Sequence, residues 1–469
     1  MGKIISSYVF PHPPIIIPEV GKGNEDGADE TIKAVVKAAK KISMEKPTTI
    51  IVTTPHGPVF QDYVYVSAGE ELQGSLERFG AGDVKLRFDN NIDLVNKIIS
   101  NAKQHGIFAG GLEDGILKKY GLSSELDHGT IVPLYFVNKK YNGFKLVHIS
   151  ISGLPFLDLY KFGMCISKAV RDSNEQVVFL ASGDLSHKLS EDAPYGFNEK
   201  GRIFDELLVE SMKRSDVEAL LDIDEDLCES AGECGLRSFI IMFGALDGYE
   251  LKPQVYSYEG PFGVGYSVVA FDIGDKSEER EILRKVTDKY DNKIKEIRAK
   301  EDAYVSLARR ALEEFITKGE VLKATEDLPA EMLENKAGTF VSIKKHGQLR
   351  GCIGTTGPTR KSIAEEIIHN AVNSGMHDPR FDLVESDELG DLVYSVDILK
   401  DPEPITSMDE LDVIRYGVIV RAGSRSGLLL PNLEGVDTPQ KQVSIALQKA
   451  GIKETDSYKM ERFEVVRHK

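Results

Sequence analysis

The chain has 469 residues, more than one ordinary hydrophobic core accommodates, so two or more domains are expected. Its composition is globular, 41% hydrophobic and 28% charged, and a formal net charge of -17 argues against nucleic acid as the main partner, because phosphate affinity comes from clustered Lys and Arg. The four cysteines (Cys165, Cys228, Cys234, Cys352) form no CxxC pair, which excludes a Cys₄ zinc site and the usual iron–sulfur run; no signal-like apolar start and no segment of ~20 apolar residues is present, so a cytoplasmic protein without a membrane span is expected.

Residues 1 to about 273 alternate short apolar runs with longer amphipathic segments. Strands are predicted at 4–9, 48–54, 64–67, 131–137, 145–151, 176–181 and 266–272, and helices at 28–43, 91–104, 156–172, 200–213 and 235–246. Such alternation predicts an α/β domain built on a mostly parallel sheet.

Three histidines follow strand-like runs in this half. SSYVF leads into Pro11-His12-Pro13-Pro14, TTIIVTT into Pro55-His56-Gly57-Pro58, and QVVFLA into SGDLSH, which ends at His187. The carboxyl ends of strands in an open α/β sheet share one crevice, and imidazole is the commonest metal ligand. A lone histidine of this kind is more often structural, but several in matching strand-end positions predict a metal-centred site. Asp184 is placed to orient His187 or a neighbouring imidazole. His128, in Leu126-Asp127-His128-Gly129-Thr130, adds a fourth imidazole ahead of the apolar run IVPLYFV. Tyr63, Tyr195 and Tyr266 are pocket candidates by side-chain type alone.

FPHPP, TPHGP, LDHGTIVPL and SGDLSH, taken together and in order, resemble the class III extradiol dioxygenase family (protocatechuate 4,5-dioxygenase large-subunit type) and its relative Memo. The resemblance implies that His12 and His56 hold a divalent metal, Fe(II) first, that His187 is the acid–base residue and that His128 lines the substrate pocket. The third ligand departs from the dioxygenase pattern: the stretch reads Ala231-Gly232-Glu233-Cys234-Gly235, with Cys234 at the position where Memo has cysteine. Two histidines with a carboxylate favour Fe(II) and dioxygen; a thiolate favours Zn, Cu or a differently tuned Fe. Cys234 is preferred over Glu233, since adjacent residues rarely both face one ion.

From Lys276 to Lys300 the sequence is dense in both charges, without Gly or Pro, and reads as a solvated linker helix. The expected division is therefore 1–275, a linker at 276–300, and a smaller α+β domain at 301–469. That last domain opens on the amphipathic helix YVSLARRALEEFITKG and then mixes strands with helices. Its most unusual word is Leu349-Arg350-Gly351-Cys352-Ile353-Gly354, with Lys344, Lys345 and His346 close by. Cys352 reads first as a small buried side chain at a tight turn, and second as a thiol activated beside Arg350.

RGCIG, the later His377-Asp378-Pro379-Arg380-Phe381 and the hairpin word GVIVRAGSRSGLLLP resemble the AMMECR-type family. That resemblance implies a fold and a cleft lined by Arg350, Cys352, His377, Asp378 and Arg380, but no settled chemistry. The two domains in one chain resemble the fusion found in AmmeMemoRadiSam systems, which implies a radical-SAM partner and leaves the small-molecule substrate open. The expected function is a metal-dependent, extradiol-dioxygenase-like oxidoreductase; the alternative is a non-enzymatic metal-binding scaffold serving the partner.

Overall fold

Six strands build the sheet of the N-terminal half: β1 (Lys3–Phe10), β2 (Thr49–Thr54), β3 (Lys145–Ser150), β4 (Gln176–Ser182), β5 (Tyr249–Glu259) and β6 (Tyr266–Lys276). Their order across the sheet is β3-β2-β4-β1-β6-β5. The first four pair in parallel, and β6 and β5 add an antiparallel edge beside β1. Every residue of β2, TIIVTT, is buried, as expected of a parallel strand covered on both faces. Val9, Ile51 and Phe179 face one core with helices Ile92–Gln104, Phe156–Arg171 and Leu236–Ala245. Tyr8, Ile50 and Leu180 face the other, beneath helices Asp29–Glu45 and His128–Asn138.

This computed structural model describes residues 1–345, 348–433 and 435–469, divided into the units Met1–Val286 and Thr287–Lys469. The division falls inside helix Ile282–Arg298, which takes up most of the charged stretch. In the second unit, strands Gln348–Gly354, Thr339–Lys345, Leu392–Leu399 and Val465–His468 form one antiparallel sheet in that order, packed on helices Ala303–Lys318 and Ile363–Met376. A second antiparallel sheet carries helix Pro439–Ala450, and Gly423-Ser424 turns its hairpin between Gly417–Ala422 and Arg425–Leu429. Among the described residues, no helix is long and apolar enough to cross a membrane.

Several elements differ from the sequence reading. The run at 131–137 is helical, within His128–Asn138, because residues 129–137 are all buried and a continuously apolar run has no period to separate helix from strand. Strand β5, YELKPQVYSYE, was not predicted: it lies at the sheet edge and mixes charges, a proline and tyrosines. The hairpin Glu71–Leu76 and Ala81–Asp89 is also absent from that reading, although residues 83–89 alternate polar and apolar as a half-buried strand does.

Candidate metal centre

Strands β1, β2 and β4 run in parallel and end side by side, and each delivers a polar side chain two residues past its last member. These are His12 after Phe10, His56 after Thr54 and Asp184 after Ser182. Pro13 restricts His12, the residue before it, to extended backbone, and His56 lies in the bend at 55–58 that follows β2. His12 Nε2 lies 2.9 Å from His56 Nε2. His128, first residue of its helix, stacks on His56 with ring centroids 4.2 Å apart, and one ring nitrogen from each of His12, His56 and His128 falls within 4.8 Å of the others. Two imidazole lone pairs at such a separation repel unless a proton or a cation lies between them.

Cys234 Sγ stands 3.6 Å from His12 Nε2, and Asp184 Oδ2 lies 3.7 Å from the same nitrogen. Asp184 Oδ1 accepts the backbone N–H of His12 at 2.8 Å, so this carboxylate orients His12. Glu233 takes a different role: its Oε2 accepts the backbone N–H of Leu236 at 2.8 Å, capping the helix whose approach carries Cys234 to His12.

Burial, then the neighbouring His56, holds the His12 pKa well below the usual imidazole value. Burial and then His128 bring His56 down to about 4; burial and then His12 bring His128 down to about 4. All three imidazoles are thus neutral near pH 7, the form that binds metal. Burial raises Asp184 to about 6 and pushes the Cys234 thiol well up, with the Asp184 charge adding to it. A cation in this spot offsets the desolvation of both groups, and that charge balance, with the three neutral imidazoles, fits a divalent metal.

Behind the cluster runs a second polar chain that no motif announced. His148 Nε2 donates to Asp127 Oδ2 at 3.2 Å, leaving Nδ1 to accept from Ser67 Oγ at 2.8 Å. Asp127 Oδ1 also accepts from Thr54 Oγ1 at 2.6 Å, tying the end of β2 to the start of the His128 helix. These are the residue types of a hydrolase triad, but Ser67 and His148 are sealed from solvent, and the arrangement is a brace. A Cβ added to Gly129 would sit 2.5 Å from Thr54 Oγ1 and 2.8 Å from Asp127 Oδ1, so only glycine lets these segments close. The one available sequence signal was His148 itself, a histidine inside the apolar run LVHIS.

His187 reaches the same neighbourhood on the loop after β4. Its buried Nδ1 has no hydrogen-bond partner among the described residues, and its ring lies 5.8 Å from that of Tyr195. Phe79, unpredicted, packs 5.1 Å from the His128 ring and is partly exposed. Tyr266 is buried, and Tyr63 donates weakly to the Gly111 carbonyl at 3.5 Å.

In the second unit, Cys352 sits mid-strand on the edge of its sheet rather than at a turn. Its N–H donates to Asp378 Oδ2 at 2.8 Å, and its carbonyl accepts from Arg380 Nη2 at 3.1 Å. Arg380 also pairs with Asp378 at 2.7 Å, so the Asp-Pro-Arg loop fills the place of a missing neighbour strand. The Cys352 thiol accepts from Ser342 Oγ at 3.2 Å. Arg350 is not beside the thiol: it pairs with Glu388 at 2.9 Å and donates to the Asp382 and Leu383 carbonyls. The Asp382 and Leu383 carbonyls and the Glu388 carboxylate draw its guanidinium along the 382–388 loop. A Cβ on Gly351 would lie 2.0 Å from the Ser374 carbonyl, so this glycine serves close approach. His377 is exposed at the C-cap of helix Ile363–Met376, and His346 lies outside the described residues.

A mostly parallel sheet whose strand ends gather histidines around one point is the fold of an aromatic-ring-opening dioxygenase subunit. The chain belongs to that family: residues 6–269 match the model described as the catalytic LigB subunit of aromatic ring-opening dioxygenase. Residues 305–468 match AMMECR1, so the protein is a fusion of the two domains. Protein CA_C1420 of Clostridium acetobutylicum is 47% identical over 465 residues, covering 98% of each chain. A Thermotoga maritima protein is 48% identical over 171 residues, 36% of this chain and 98% of its own. Among solved structures, uncharacterized protein PH0010 from Pyrococcus horikoshii matches 35% of this chain and 88% of its own at 33% identity, with a TM-score of 0.33. Uncharacterized protein JW3007 from Escherichia coli K12 matches 57% of this chain and 99% of its own at 15% identity, with a TM-score of 0.40.

Proposed function

We propose that the LigB-like unit is a metal-dependent, extradiol-dioxygenase-like enzyme whose cation is held by His12 and His56 with Cys234. The convergence of three imidazole nitrogens within 4.8 Å, with the thiol 3.6 Å from His12 Nε2, carries this reading. When bound, such a cation supplies Lewis acidity and a template for neighbouring oxygen atoms. The protein's own groups do the rest. His187, whose buried Nδ1 has no hydrogen-bond partner among the described residues, takes a proton from a substrate hydroxyl and returns it. His128 and Phe79 wall one side of the site, and Tyr195 stands beside His187 on another. Fe(II) is the metal proposed, with Asp184 the carboxylate that faces the cluster.

A second reading rests on one observation: the side chain beside His12 is a thiol, where oxygen chemistry favours a harder ligand. On that reading the unit binds Zn or Cu as a scaffold. Elemental analysis of anaerobically purified protein, with oxygen uptake on catechols, separates the two. Iron with uptake that is lost in His12→Ala supports the enzyme; tight zinc or copper without uptake supports the scaffold. A radical-SAM protein is the proposed partner, on the strength of the fusion's resemblance, and co-purification from cells expressing both proteins tests it.

A further inference from the structure

The carbonyl of Gly129 lacks the donor that a helix normally gives it. Its partner four residues on is Pro133, inside helix His128–Asn138, and proline has no N–H. Ser182, the last residue of β4, supplies the donor instead, with Oγ 2.5 Å from the Gly129 oxygen. The same Oγ lies 2.9 Å from His12 Nδ1. Ser182 and Gly129 are buried and His12 is 1% exposed, so no water competes for these bonds. A serine hydroxyl has one proton, and a carbonyl can only accept. The proton therefore points at Gly129, and the Ser182 lone pair faces His12 Nδ1, which must carry its own proton.

We propose that Ser182 is a positioning residue that fixes His12 as the tautomer protonated on Nδ1, and that Pro133 enables this by leaving the Gly129 carbonyl in need of a donor. The Nε2 lone pair then points at His56, Cys234 and Asp184 before any ligand arrives. This inference draws its purpose from the proposed metal centre, since a ligating imidazole is held by the bond its other nitrogen makes. The missing N–H at Pro133 and the histidine at position 12 are distant in sequence, and Ser182 links them.

The test uses the full chain, metal-free and labelled with ¹⁵N-histidine. Long-range ¹H–¹⁵N correlation should show His12 Nδ1 protonated and Nε2 unprotonated in the unsubstituted protein. Ser182→Ala removes the acceptor, and Pro133→Ala returns an N–H to Gly129 and frees the serine proton; in both, the two His12 nitrogen shifts should move toward an averaged mixture. Zn(II) titrated against a competing chelator should bind Ser182→Ala about 10- to 100-fold more weakly. Protonated Nε2 in the unsubstituted protein, or an unchanged tautomer in both variants, would overturn the proposal. Failure of the unsubstituted protein to bind Zn(II) or Fe(II) would overturn the metal centre instead, and the nitrogen shifts would then decide the role of Ser182 alone.

Discussion

The two units carry comparable sequence words to different ends. In the LigB-like unit, the residues of FPHPP, TPHGP and LDHGT turn ring nitrogens toward one another, and they leave lone pairs that only a proton or cation can satisfy. In the AMMECR1 unit, Asp378 and Arg380 spend their hydrogen bonds on the backbone of Cys352, and Arg350 spends its own on Glu388 and two carbonyls. In the first unit unpaired ring nitrogens converge on one point; in the second the same kinds of polar side chain fasten a sheet edge.

The largest expected effect tests the first half of that contrast. His12→Ala removes the ring nitrogen that faces His56, Cys234 and Asp184 and should abolish stoichiometric metal binding, while Cys352→Ala leaves it unchanged; elemental analysis of both proteins decides. Next, Asp378→Ala leaves the Cys352 N–H and Arg380 without their partner. It should cost about 1–3 kcal/mol, read from denaturant unfolding of the C-terminal unit, with faster hydrogen exchange at the Cys352 amide.

The units should also respond to pH in opposite directions. Burial raises Asp205, which accepts from the Ser186 N–H and Tyr258 Oη, from 3.8 to about 7. A raised carboxyl contributes stability that is fully present below its unfolded value and lost as pH rises through about 7. The bond from Arg380 brings Asp378 from 3.8 down to about 2, so its contribution is present above the unfolded value and lost as pH falls through about 2. Hydrogen exchange followed unit by unit across pH should show the first loosening toward alkaline pH and the second toward acid. Asp205→Asn should flatten only the first trend. The smallest effect is expected at Cys352 itself: Cys352→Ala should change stability by less than about 1 kcal/mol, because the backbone of that residue, and not its thiol, holds the loop. A larger loss would return the thiol to consideration.

Local pattern placed most of the architecture. The runs that became β1, β2, β3, β4 and β6 were legible because strands buried on both faces read as short apolar stretches bounded by turn residues. Helices Asp29–Glu45, Phe156–Arg171 and Ala303–Lys318 were legible from their amphipathic period. His12, His56, His128 and His187 stood out because each follows or precedes such a run.

What the sequence by itself determined was therefore most of the main element types, the two-part organisation and the identity of the strand-end histidines, all of which depend on neighbours a few residues apart. Only the tertiary structure decided that 128–138 winds as a helix, that Cys234 rather than Glu233 meets His12, and that Asp378 and Arg380 clasp Cys352. It also decided the pairing of His148 with Asp127 and of Ser182 with His12 and Gly129. The helix follows from burial on all sides, and the others are contacts between segments apart in the chain, where the choice of partner depends on which donors and acceptors the sheet and helices bury together.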